Sequence, residues 1–147
     1  MSLRLNPAEA HPTLYKALIT LEGHIRQSGL PHGLMELVKT RASQINGCAF
    51  CIDMHGRDAM KTGETPLRLL LLSAWRESSL YTTQERAALA WTEAVTLLPQ
   101  TAAPDADYAA AAEHFSPAEL MSLTTLIGMI NLWNRLAVGF RLQHPAH

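Results

Sequence analysis

The chain has 147 residues, of which 48% are hydrophobic and 17% charged, with a formal net charge of −1. That length suits one domain around one core, and that charge offers neither the basic footprint of a nucleic-acid binder nor a polybasic patch for anionic membranes. No apolar run reaches the roughly 20 residues needed to cross a bilayer, and Met1–Pro7 lacks the apolar centre of a secretory signal, so a cytoplasmic protein is expected.

Strand signals are nearly absent, and helical periodicity recurs along the chain. Leu14, Leu18, Leu21 and Ile25 repeat at three and four residues and form one apolar stripe. Pro12 suits the first turn of that helix, and Gly29 with Pro31 ends it. Leu34, Leu37, Val38 and Ile45 mark a second helix from near Pro31. Asn46-Gly47 breaks it, since both residues tolerate positive φ. A third helix starts at or just before Cys48 and runs to about Lys61, with Gly63 as its C-terminal cap.

Pro66 opens a fourth helix through Leu67, Leu70, Leu71 and Trp75. Thr82 and Glu85 form a capping box for a fifth, which spans Leu89, Trp91, Val95 and Leu98. Pro99 to Pro104 reads as a linker, and the Ala-rich stretch Asp105–Phe115 reads as helix. Ser116, Pro117 and Glu119 form a second capping box, before the longest helix, which ends near Leu142. Residues 1–147 thus form one all-α domain of about six or seven helices with short connections. The last helix is apolar almost all round, so it belongs either in the core or against another subunit. In either place Asn131, Asn134 and Arg135 need partners.

The chemistry concentrates in Asn46-Gly47-Cys48-Ala49-Phe50-Cys51, followed by His55. These are the chain's two cysteines. In a reducing compartment such a lone pair points to catalysis or metal binding rather than a structural staple. The turn at Asn46-Gly47 sets Cys48 at a helix start, where free N–H groups and the dipole favour a thiolate. Cys51 lies one turn in and His55 one turn further, on the same face, so the imidazole is placed to exchange protons with a thiol. Glu36, twelve residues before Cys48, sits within an apolar helix face. A fold-back at Asn46-Gly47 would bring its carboxylate beside the Cys helix, as a base or to orient His55. A solvated pair with Lys39 or Arg41 is the other outcome.

Several alternatives share this pattern. Zinc wants four ligands, and Cys48, Cys51 and His55 supply three. The other histidines (His11, His24, His32, His114, His144 and His147) have no companion at ligand spacing. Covalent haem attachment needs His directly after the second Cys, where Ile52 stands, and a thioredoxin fold needs strands. Two inert buried cysteines are the plainest alternative, against which the helix-start position argues.

The run from Glu36 to His55, Glu-Leu-Val-Lys-Thr-Arg-Ala-Ser-Gln-Ile-Asn-Gly-Cys-Ala-Phe-Cys-Ile-Asp-Met-His, strongly resembles the core motif of the AhpD-like alkylhydroperoxidases of the carboxymuconolactone decarboxylase superfamily. The resemblance is closest over about Leu34 to Ala59. The segment Asn131-Leu132-Trp133-Asn134-Arg135 also looks like this family. The resemblance implies an all-helical fold, assembly into a homo-oligomer such as a trimer or hexamer, and thiol-dependent reduction of hydroperoxides. It assigns peroxide attack to Cys51, resolution of the sulfenic acid as a disulfide to Cys48, and a proton relay to Glu36 and His55. No cofactor or metal is implied. The partners implied are a hydroperoxide and an external dithiol reductant, either a protein or a lipoamide-type donor. One departure stands out: the best-known pattern has a histidine between the cysteines, and this chain has Phe50. That substitution keeps open a disulfide-exchange or redox-sensing role with weak peroxidase activity. A non-redox acid–base enzyme on the same scaffold, using Glu36 and His55, is the other reading.

Overall fold

A computed structural model describes residues 2–146; Met1 and His147, the latter among the histidines weighed above as ligands, lie outside the described residues. Nine α-helices and no strand occur among the described residues. They are α1 (Pro7–Ala10), α2 (Pro12–Arg26), α3 (His32–Ile45), α4 (Ala49–Lys61), α5 (Pro66–Leu71), α6 (Thr83–Thr96), α7 (Leu98–Thr101), α8 (Asp105–His114) and α9 (Pro117–Phe140). A 3₁₀ turn, Leu72–Ala74, follows α5. None of these helices is long and apolar enough to cross a membrane.

The helix starts follow the sequence signals. Thr82 and Ser116 each accept from the backbone N–H three residues on, and Glu85 and Glu119 reach back to the cap N–H, completing both capping boxes. The count exceeds the expected six or seven because of short pieces. The Pro99–Pro104 linker begins inside α7, and α6 stops at Thr96 rather than Leu98. Ala102 and Ala103 both sit at positive φ, 53° and 48°. Thr101 Oγ1 holds that bend by donating to Ala94 O and accepting from Ala103 N–H. The helix expected to reach Trp75 tightens into the 3₁₀ turn after Leu71, and α9 ends at Phe140, before Leu142.

α3 is the central helix. Leu34 to Thr40 are buried without interruption, followed by Ala42 and Ser43, because α4, α6 and α9 pack around it. α9 is largely core, with Leu123, Leu126, Ile127 and Ile130 fully enclosed while Met121 faces out. Its polar residues find partners. Asn46 Nδ2 donates to Asn131 Oδ1 (3.0 Å) and Asn134 Oδ1 (2.9 Å), Asn134 Nδ2 donates to Ser43 Oγ, and Arg135 donates to Asn131. The stripe read on α2 is divided: Ile25 is buried, whereas Leu14 (56%) and Leu21 (42%) are exposed.

Candidate active site at the α3–α4 turn

Ordinary chain-termination chemistry builds this site. Gly47, at φ 66°, ends α3, while Asn46 keeps right-handed geometry, so the glycine alone uses the left-handed freedom. Cys48 N–H donates to Ser43 O and Gly47 N–H to Gln44 O, the paired bonds of a Schellman motif. Cys48 is then also the N-cap of α4, its Sγ accepting from Cys51 N–H at 3.3 Å. One residue closes one helix and opens the next, which fixes its sulfur at the positive end of α4.

The two cysteines form a disulfide, with Cα atoms 5.3 Å apart. Each is 1% exposed, packed against Ala137 of α9 with Phe50 and Leu142 alongside. Burial does not seal the pair. Cys51 lines a cavity of about 370 Å³, together with Phe50, Met54, Tyr15, Trp133 and Leu136. That is the size and mostly apolar character of a small-molecule site. Cys48 is not part of its lining.

Glu36 and His55 meet on the wall of the same cavity. His55 Nδ1–H donates to Glu36 Oε2 at 2.8 Å, and both residues are buried. A carboxylate accepts only, so it fixes the proton on Nδ1 and leaves Nε2 as the ring's other working atom. The fold-back expected at Asn46-Gly47 therefore occurs. Arg41 does not pair with Glu36; it donates to Glu93 and Gln44. Lys39 does approach Glu36 Oε1, at 3.7 Å, but in the interior rather than on the surface.

Three further residues belong to this wall; the sequence offered Lys39 only as a solvated partner of Glu36, Trp133 only within the family-like segment, and Glu22 not at all. Lys39 Nζ lies 2.7 Å from Glu22 Oε1, and Trp133 Nε1 donates to Glu22 Oε2 at 3.1 Å. Burial works to raise the Glu22 carboxyl, but the hydrogen bond and charge of Lys39 and the bond from Trp133 outweigh it. The group sits below the usual carboxylate range. The chain Trp133–Glu22–Lys39–Glu36–His55 thus runs across α9, α2, α3 and α4. One signal was available: Lys39 follows Leu37-Val38 within a run of apolar positions, where a lone cation needs a partner.

Ligand atoms of Glu36, His55 and Asp58 lie within 4.8 Å of one another. Glu36, however, already uses one oxygen on His55 and has Lys39 beside the other, and Asp58 is held by Lys61 at 2.7 Å. With its charge and acceptors engaged this way, the trio reads as a hydrogen-bonded acid–base pair with a neighbouring carboxylate rather than a metal cage. The zinc set weighed from the sequence is not assembled either, because the two sulfurs bond to each other.

Residues 12–94 match the model of the carboxymuconolactone decarboxylase family. The chain belongs to that family, and to its AhpD-like members. It is 41% identical to the uncharacterized protein YdfG of Bacillus subtilis over 139 residues, 95% of each chain. It also superposes, at a TM-score of 0.96 and 48% identity, on the crystal structure of an Agrobacterium tumefaciens protein of unknown function, which bears the provisional name antioxidant defence protein AhpD; the match covers 99% of this chain and 100% of that one. The debrominase Bmp8 shares the fold at a TM-score of 0.83 with 22% identity, covering 92% of this chain and 73% of that protein.

Proposed function

We propose that this AhpD-like protein is a thiol-dependent peroxidase that reduces organic hydroperoxides at Cys51. The observation that carries the proposal is the coincidence of three groups on one cavity: the Cys51 sulfur of a Cys48–Cys51 disulfide, and the buried Glu36–His55 pair. A peroxidatic thiolate needs a leaving group that is protonated as the O–O bond breaks. On this reading His55, steadied by Glu36, supplies that proton.

The cycle balances in three steps. Cys51–S⁻ attacks the terminal oxygen of ROOH; with one proton delivered to the departing oxygen, the products are Cys51–SOH and ROH. The Cys48 thiol then condenses with the sulfenic acid, releasing water and forming the disulfide. An external dithiol, D(SH)₂, exchanges with that disulfide, restoring both thiols and leaving as its own disulfide. On this reading the cavity that Cys51 lines is the route for the external dithiol, a lipoamide-type arm or an extended protein thiol. Exchange at Cys51 expels Cys48 as a thiolate at the α4 N-cap, the position that stabilises it. A cytoplasmic homo-oligomer, a trimer or hexamer, completes the reading.

Intact mass before and after one equivalent of cumene hydroperoxide tests the first two steps. The reduced protein is expected to lose two hydrogens, and Cys51→Ser to lose none and to turn over no peroxide with a dithiol donor. Full activity in Cys51→Ser would sink the assignment. Phe50 favours a second reading: an apolar ring lines the cavity at the position where the family pattern carries a histidine. Slow peroxide consumption alongside fast exchange with a dithiol would make the protein a disulfide-exchange component instead.

A further inference from the structure

We propose that Lys39 and Glu22 form a charge-setting pair for Cys51: Lys39 supplies positive charge to the Glu36–His55 wall of the cavity, and Glu22 holds part of that charge back. They are positioning residues: the contacts of Lys39 are to Glu22 and Glu36, and those of Glu22 to Lys39 and Trp133. The inference rests on the reading of Cys51 as the reactive thiol.

The placement carries the argument. Lys39 is nearly enclosed, its side chain 9% exposed, and it lies between two carboxylates: Glu22 Oε1 at 2.7 Å and Glu36 Oε1 at 3.7 Å. A buried ammonium is costly unless paired, and Glu22 alone would satisfy that need. The second, looser approach to Glu36 places the same charge behind the His55 hydrogen bond. Glu22 is in turn held at its other oxygen by Trp133 Nε1, so the tug on Lys39 has a fixed direction. Glu22, Lys39, Glu36 and His55 all line the cavity that Cys51 lines. In such a place a full charge acts through less screening than at the surface.

The remaining charged neighbours are few. α2 contributes Arg26 besides Glu22, α4 contributes Asp58, already engaged by Lys61, and the α9 wall consists of uncharged Trp133, Leu136 and Ala137. With these unchanged, the signs follow. Removing the Lys39 charge makes the cavity more negative and holds the thiol proton more tightly. Removing the Glu22 charge does the opposite. Glu22→Gln deletes the charge and keeps one acceptor oxygen, which serves Lys39 and the link between α2 and α3, while its amide N–H₂ gives up the bond from the Trp133 indole N–H.

The test is the rate of Cys51 alkylation by iodoacetamide against pH, in full-length protein carrying Cys48→Ser so that one thiol reports. Lys39→Met should raise the midpoint by about half a pH unit or more. Glu22→Gln should lower it by a similar amount, and Lys39→Arg should return it to the parent value. Shifts of the two charge-removing variants in the same direction would overturn the proposal, as would unmoved midpoints in proteins that merely melt earlier. Should Lys39→Met fail to fold, the downward shift in Glu22→Gln and the parental profile of Lys39→Arg still decide it. Opposite shifts without any cumene hydroperoxide turnover would uphold the charge pair and remove the peroxidase reading. Normal turnover with fixed midpoints would do the reverse.

Discussion

Two carboxylates in this protein are held in nearly the same way but stand in different surroundings. Glu22 takes Lys39 on one oxygen and the Trp133 indole N–H on the other. Glu93 takes Arg41 at 2.9 Å, the Trp75 indole N–H at 2.8 Å, and Arg76. In both, burial pushes the carboxyl up, and the neighbouring cations with an indole donor bring it below the usual range. The difference is what stands beside them. The Glu22 cluster opens on the cavity with Cys51 and His55. The Glu93 cluster ties α3, α6 and the Trp75 turn together, with Arg76 and Arg86 lying over the Trp75 ring. A buried ion pair therefore does not by itself mark a reactive site; proximity to a nucleophile and a cavity does.

Substitutions can sharpen that contrast. The largest effect is expected from His55→Gln, which should lower peroxide kcat/KM by about 10²–10⁴-fold, the range of general acid–base catalysis. Steady-state assays with a dithiol donor check it, and a loss under threefold would remove His55 from the chemistry. Glu93→Gln should act on the other axis. It breaks a mostly buried network and is expected to cost on the order of 3 kcal/mol in urea unfolding, with turnover per folded molecule within about twofold. A large catalytic loss there would erase the distinction between the two clusters.

The two clusters should also respond to acid alike. Because the folded Glu22 and Glu93 carboxyls titrate below their ordinary range, their stabilisation is fully present above it. It is lost as pH falls through the depressed folded values. The stability gap between the parent and Glu93→Gln should therefore narrow as pH drops below about 4; a gap that widens would reverse the sign. Smaller still is Gly47→Ala. Nothing lies within 4 Å of an added Cβ there, so its expected cost of about 1–2 kcal/mol comes from the left-handed backbone alone. The smallest is Ala102→Gly, on the bend after α7 at φ 53°. It should change stability by under about 1 kcal/mol, in the stabilising direction, as read by thermal melting.

Much of the site could be read from local rules. Gly47, the N-terminal placement of Cys48, and the spacing of Cys51 and His55 follow from turn and cap chemistry within one short stretch. Glu36 came within reach because a single tight turn separates α3 from α4. Glu22 and Trp133 did not, because Glu22–Lys39 and Glu22–Trp133 join helices whose arrangement no local periodicity encodes. The α2 stripe shows the same limit: its repeat at Leu14, Leu18, Leu21 and Ile25 is real, yet which members are covered depends on where α3 and α9 lie. The Pro99–Pro104 stretch failed for a different reason. Its prolines read as a linker, while Pro99 serves as an early helical residue in α7.

The disulfide between Cys48 and Cys51 closes a ring of only four residues. Cross-linking so small a loop removes little freedom from the unfolded chain, about 2 kcal/mol against nearly 5 for a hundred-residue loop. Gaining or losing that bond is therefore expected to move the melting temperature by several degrees rather than decide whether the chain folds. In the proposed cycle, then, the sulfurs can change oxidation state with each substrate molecule while the fold around them stands.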